Sequence, residues 1–302
     1  MRVESPPSVL PGARVGVAAL SGRIDRARLE RGVAELVALG FEPVLARNLE
    51  SHAGLFAGED EERLSAFHEL AGDGGLAAIF FARGGHGALR LLPGIDWDLL
   101  ARHPRAYVGY SDLTPFLLQV VERLGLVAFH GPMVATDLAR GLVAEEIETL
   151  LRALAGGEAL EIPVEGGEGG ADSDVAEGPL LGGCLSLLTA TQGTPYAPDL
   201  DGAILFWEDV NEPLYRLDRM LTHLRLSGSL RAIRGAVIGR VRGADEAPGA
   251  ESDVPRRMRD HAPRVPILHG APVGHGAPNL TLPLGRRARI DAAAARLVVE
   301  ER

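Results

Sequence analysis

The first half of the chain alternates short apolar runs with segments of helical spacing, and few folds can absorb that pattern. Residues 14–20 (RVGVAAL) form an apolar run that ends at the turn pair Ser21-Gly22. Residues 24–39 then place apolar side chains three and four apart up to Gly40, a natural helix stop. Further strand signals lie at 41–45, 76–82 and 107–109, with helical spacing at 57–71, which has an acidic first turn, and at 113–124. Strands alternating with helices predict a parallel sheet covered on both faces, hence an α/β fold. Ligands of such sheets sit at the carboxyl ends of the strands, in the loops that lead to helices.

Past residue 155 the pattern changes. Residues 156–178 (GGEALEIPVEGGEGGADSDVAEG) are rich in Gly, Glu and Asp, which predicts a linker between a first domain at 1–155 and a second at 179–302. The second region shows short strands at 203–207, 236–239, 267–269 and 288–291, with one helix near 214–226. A chain of 302 residues is long enough for two domains.

With 31 basic and 41 acidic residues, the net charge of −10 argues against a nucleic-acid or anionic-membrane partner. No apolar stretch approaches the roughly 18 residues of a spanning helix. Prolines and charges break the start, MRVESPPSVLPGARVGVAAL, where a signal peptide needs an apolar core. With Cys184 as the single cysteine, the expected location is cytoplasmic. All 31 basic residues are arginine, which excludes a pyridoxal Schiff base, a Ser–Lys dyad and a P-loop lysine.

Reactive residues gather in three places. In residues 108–113 (VGYSDL), Ser111 follows a strand and precedes a helix, the layout of a nucleophile elbow, although Leu113 stands where a second glycine belongs. The Asp112 N–H then points toward an oxyanion at a helix start. The plainer alternative is that Ser111 or Asp112 caps the helix. In residues 82–87 (ARGGHG), three glycines allow close backbone approach to a ligand, and the Gly85 N–H fits a second oxyanion donor; a simple glycine-rich turn is the alternative. The third place joins residues 203–209 (AILFWED) to residues 273–276 (VGHG). There an acid and His275 complete a nucleophile, base and orienter with Ser111, unless the acids pair with Arg216 or Arg219. Strand alternation puts Glu208 and Asp209 on opposite faces without saying which one faces the cleft. His130 and Cys184 read as structural, and no metal-ligand spacing is present.

In this order the segments resemble the LD-carboxypeptidase family of serine peptidases, which includes the microcin C immunity proteins. The matching stretches are 82–92 (ARGGHGALRLL), 108–114 (VGYSDLT), 130–133 (HGPM), 182–188 (GGCLSLL), 193–196 (GTPY), 207–210 (WEDV), 215–221 (YRLDRML) and Gly274-His275. The likeness covers nearly the whole chain, from Val15 to about Asp291. The resemblance implies Ser111 as nucleophile, His275 as base and Glu208 as the carboxylate that orients it. It also implies a flavodoxin-like parallel-sheet domain followed by a smaller β-rich α+β domain, and a homodimer. The implied substrate is a small peptide, the murein tetrapeptide cut before its terminal D-alanine in peptidoglycan recycling, with no metal or organic cofactor. The alternatives are cleavage of a peptidyl-nucleotide amide, or a non-catalytic ligand-binding module. His86 replaces the family's usual tyrosine and Cys184 its frequent asparagine, so His86 is a candidate for contact with substrate. Stacking on a nucleotide base is less expected at 156–178, which lacks an aromatic residue. Arg83 and Arg90 stand nearest the glycine loop, where a terminal carboxylate could be bound.

Overall fold

The computed structural model describes residues 3–243 and 253–300; the expected domain limits also take in 1–2, 244–252 and 301–302, which lie outside the described residues. The apolar runs of the first half become five parallel strands, β1 (Arg14–Ala18), β2 (Glu42–Leu45), β3 (Ala78–Phe81), β4 (Ala106–Gly109) and β5 (Ala128–His130). Their order, β2-β1-β3-β4-β5, is that of a flavodoxin-like sheet. Every residue of β3 and β4 is buried, as expected where helices cover both faces.

The helices are α1 (Arg26–Ala38), α2 (Asp60–Gly72), the short α3 (Ala88–Leu91) and α4 (Trp97–Arg102), then α5 (Thr114–Leu124) and α6 (Ala144–Ala155). The α1 helix starts where the Asp25 carboxylate accepts the Arg28 N–H at 2.8 Å. The α5 helix has Pro115 in its first turn and ends at Gly125 in the left-handed region. Between β5 and α6, the turn Val134–Leu138 has π-helical bonding and packs on α1.

The second sheet has eight strands. These are β6 (Leu160–Pro163), β7 (Gly166–Glu168), β8 (Val175–Cys184), β9 (Ile204–Val210), β10 (Gly235–Arg242), β11 (Ile267–His269), β13 (Arg287–Asp291) and β14 (Arg296–Val299). Strands β8 to β11 run parallel at its centre, with antiparallel strands on both margins. Its helices are α7 (Leu185–Ala190), α8 (Leu214–Leu226) and α9 (Asp253–His261). The remaining strand, β12 (Leu282–Leu284), leaves this region and pairs antiparallel with β5 at the edge of the first sheet.

The stretch 156–178, expected to be a linker, is instead part of the second sheet. It contributes β6 and β7 at opposite edges of that sheet and the beginning of β8. Its alternation is too brief to stand out: Leu160 and Ile162 are buried, Glu161 and Pro163 exposed, and β7 is Gly-Gly-Glu. The second region also holds more elements than its patterning suggested, among them α9, whose nine residues have a low mean hydropathy.

Candidate active site

Ser111 lies just beyond β4, at the start of a tight turn (Ser111–Leu113) that leads into α5. Its φ is 63°, a left-handed conformation that an L-residue holds only when its surroundings impose it. Two features of the glycine loop impose it here. The Asp112 carboxylate, buried, accepts the Ala88 N–H at 2.8 Å and ties the turn to the start of α3. Gly84 packs directly on Ser111: a Cβ on Gly84 would stand 3.0 Å from Ser111 Cβ and 3.3 Å from the Asp112 amide nitrogen. Only a glycine leaves that space open. The Gly84 carbonyl accepts the Gly22 N–H at 3.2 Å, so the trans peptide turns the Gly85 N–H away from Gly22.

The histidine and its carboxylate partner come from the second half of the chain. Glu208 on β9 is fully buried, and its Oε2 lies 2.7 Å from His275 Nδ1 and accepts the His275 backbone N–H at 3.1 Å. His275 Nε2 lies 3.0 Å from Ser111 Oγ. A proton on Nδ1 satisfies both ring contacts, leaving Nε2 to accept from the hydroxyl. The face that alternation left open is thereby assigned. Asp209 points the other way and accepts the N–H groups of Ser186 at 2.7 Å and Val210 at 2.8 Å. Neither acid is paired with Arg216 or Arg219; Arg216 bonds Glu212. Gly274, at φ 108°, is needed for this approach, since a Cβ there would stand 2.5 Å from Glu208 Oε2.

Burial by itself lowers the basicity of His275. The hydrogen bond to Glu208 and the charges of Glu208, Asp209 and Asp137 outweigh it, so the imidazole lies above its ordinary range. The Tyr110 ring stands edge-on to the imidazole at 5.1 Å.

Behind the loop lie two residues that sequence reasoning missed. Asn279 Oδ1 accepts the Gly274 N–H at 2.8 Å, and the Asn279 N–H donates to Glu146 Oε1 at 2.6 Å. Glu146, fully buried on α6, is paired with Arg140. It also accepts the Val143 N–H, a helix-start arrangement whose spacing is visible in the sequence.

The other sequence candidates divide. His86 is exposed on the glycine loop, its ring 5.7 Å from Phe56. Arg90 forms a two-nitrogen ion pair with Asp60, and Arg83 donates to the carbonyls of Arg23 and Gly84. His130 is fully buried against Tyr110 and Phe206, and burial pushes its pKa down to about 4. Burial likewise raises the Cys184 thiol well above its ordinary value, which keeps it protonated and unreactive. Among the described residues, no cluster of three or more His, Cys, Asp or Glu could hold a metal, and no helix is long and apolar enough to cross a membrane.

Comparisons with known proteins agree with this architecture. The LD-carboxypeptidase N-terminal domain matches residues 15–131, and the LD-carboxypeptidase C-terminal domain matches residues 177–290. A probable murein peptide carboxypeptidase of Bacillus subtilis is 33% identical, covering 98% of this chain and 94% of its own. The murein tetrapeptide carboxypeptidase of Pseudomonas aeruginosa is 34% identical, covering 92% of this chain and 93% of its own. The crystal structure of an MccF-like protein from Bacillus anthracis superposes with a TM-score of 0.89 at 24% identity, covering 99% of this chain and all of the other. With both domains matched and full-length relatives above 30% identity, this chain belongs to the LD-carboxypeptidase family.

Proposed function

We propose that the protein is a serine-type LD-carboxypeptidase that removes the terminal D-alanine of the murein tetrapeptide. One observation carries this reading: the unbroken line from Ser111 Oγ through the His275 ring to Glu208 Oε2, with both contacts at hydrogen-bond distance. The murein peptide carboxypeptidases among its relatives support the choice of substrate.

In this mechanism, Ser111 Oγ attacks the carbonyl carbon of the L,D-peptide bond while His275 Nε2 takes the hydroxyl proton. Glu208 holds the ring in the required tautomer and stabilises the imidazolium. The N–H groups of Asp112 and Gly85 receive the oxyanion, and loss of one such donor costs on the order of 100–1,000-fold in rate. His275 then gives its proton to the leaving amine as the C–N bond breaks. A water, deprotonated by the same imidazole, then attacks the acyl carbon, and the imidazolium returns that proton to Ser111 Oγ as the ester bond breaks. We place the reaction in the cytoplasm, where a lone thiol such as Cys184 stays reduced, and expect a homodimer as in the family.

The test is release of D-alanine from murein tetrapeptide, measured beside Ser111→Ala and His275→Ala. Full activity in Ser111→Ala would sink the mechanism. Cleavage of a peptidyl-nucleotide amide in place of the tetrapeptide would favour an immunity-type activity. Ligand binding without any turnover would mark a binding module.

A further inference from the structure

The two arginines nearest the glycine loop are engaged elsewhere, Arg90 with Asp60 and Arg83 with backbone carbonyls. A different set converges beside the histidine. A cavity of about 440 Å³ opens where Gly276, the residue after His275, meets Asp137 of the π-helical turn; Arg28, Arg31, Arg140 and Arg242 also line it. Arg28 and Arg31 are three apart on α1 and so share one helix face. Arg242 ends β10 of the other sheet, so the cavity is built from both halves of the molecule.

The charges in this cavity are unbalanced. Arg140 is neutralised by Glu146 and lies 3.7 Å from Asp137. Asp137 is buried and already accepts from the Met133 N–H and the Thr136 hydroxyl. Among the described residues, no carboxylate pairs with Arg28, Arg31 or Arg242. By contrast Arg26, also on α1 but outside the cavity, pairs with Glu30 and Glu50. Arg31 gives its Nε–H to the Ala139 carbonyl at 3.2 Å, which fixes the guanidinium and leaves its terminal N–H groups for a ligand. Three arginine charges without a paired carboxylate among the described residues, in a chain of net charge −10, repel one another until an anion joins them. The planar fork of a guanidinium matches a carboxylate with two parallel hydrogen bonds.

We propose that this cavity is a carboxylate subsite that anchors an acidic peptide substrate through a carboxylate that takes no part in the reaction. The inference rests on the peptidase reading above and deepens it. It assigns the recognition of substrate charge to Arg28, Arg31 and Arg242, not to Arg83 or Arg90.

The experiment is calorimetric binding to the Ser111→Ala protein, with murein tetrapeptide and with the same peptide whose carboxylates are converted to carboxamides. The acidic form should bind about tenfold tighter or more. Adding Arg28→Gln, Arg31→Gln and Arg242→Gln together should shrink that ratio to less than about twofold. Arg26→Gln, the control on the same helix, should leave the ratio in place. Glutamine keeps helix propensity and all three arginines are exposed, and Arg28→Gln alone gives a second, milder variant that should lower the ratio partway. A ratio unchanged by the triple variant, or lowered equally by Arg26→Gln, overturns the proposal. So does tighter binding of inorganic phosphate than of the tetrapeptide. The two readings fail separately. D-alanine release with a ratio indifferent to the three arginines sinks the subsite alone, whereas an arginine-dependent ratio without D-alanine release sinks the peptidase reading alone.

Discussion

The two sides of the site are held in different ways. Ser111 is fixed from within the first half of the chain, by the Gly84 loop and the start of α3, through a strained φ and one buried carboxylate bond. His275 is fixed across both halves of the chain, by Glu208 on β9 and by Asn279 of its own loop, whose N–H reaches back to Glu146 on α6. A turn needs few partners once glycine removes the obstacles. A loop without regular structure needs side chains from elsewhere to satisfy its polar groups. Both sides are therefore sensitive to added volume, at Gly84 and at Gly274, and the histidine side depends in addition on a chain of hydrogen bonds.

The largest expected effect tests both sides at once. Ser111→Ala should lower turnover of tetrapeptide by on the order of a millionfold, close to the combined loss of the whole triad. Glu208→Gln keeps the shape but removes the charge, and should cost about ten-thousandfold in kcat. Next come the variants that separate the sides. Gly84→Ala and Gly274→Ala should each lower kcat about a hundredfold by displacing a reacting group. Added volume at Gly84 should disturb Ser111 without touching the His275–Glu208 contact, which the imidazole resonances report. Asn279→Ala should cost about 1–3 kcal/mol of stability in chemical denaturation, because a buried N–H loses its acceptor, with a loss in kcat smaller than that of either glycine variant. Equal kcat losses in Gly84→Ala and Asn279→Ala would erase the contrast.

The smallest effect is a shift in a pH profile. His275 must be neutral to accept the Ser111 proton, and its imidazole is held above the ordinary range, mainly by Glu208 acting against burial. The protonated, inactive form therefore persists to higher pH, and the acid limb of kcat/KM should lie above about 6.5. Residual activity of Glu208→Gln should show that limb at lower pH, because the raising partner is gone and burial remains. A limb at the same pH in both proteins would show that Glu208 does not set it.

Much of the first sheet was legible because parallel strands declare themselves as apolar runs between helical segments. The expectation at 76–82 contains β3, and that at 113–124 contains α5. The candidate site positions stood out as glycines and polar residues at strand ends, and Ser111, Glu208 and His275 do converge. What periodicity could not supply was depth. Glu208 and Asp209 are equivalent by alternation, and only the packed sheet decides between them. Glu146 resembles any exposed helix-start glutamate until α6 buries it. Arg90 stood close to the glycine loop, but a neighbouring helix offered Asp60. The edge strands β6 and β7 were hidden because a margin strand carries little apolar alternation.

The return of β12 to the first sheet makes the two halves inseparable. It follows the histidine loop within a few residues and closes the open edge of β5. A fragment ending at residue 155 would present that edge to other chains and would aggregate through it. The complementary fragment would lose the anchor on one side of its histidine loop. Exchange of one half for that of a relative would then succeed only if β12 travelled with the strand it caps, so the natural unit of recombination differs from the order of the chain.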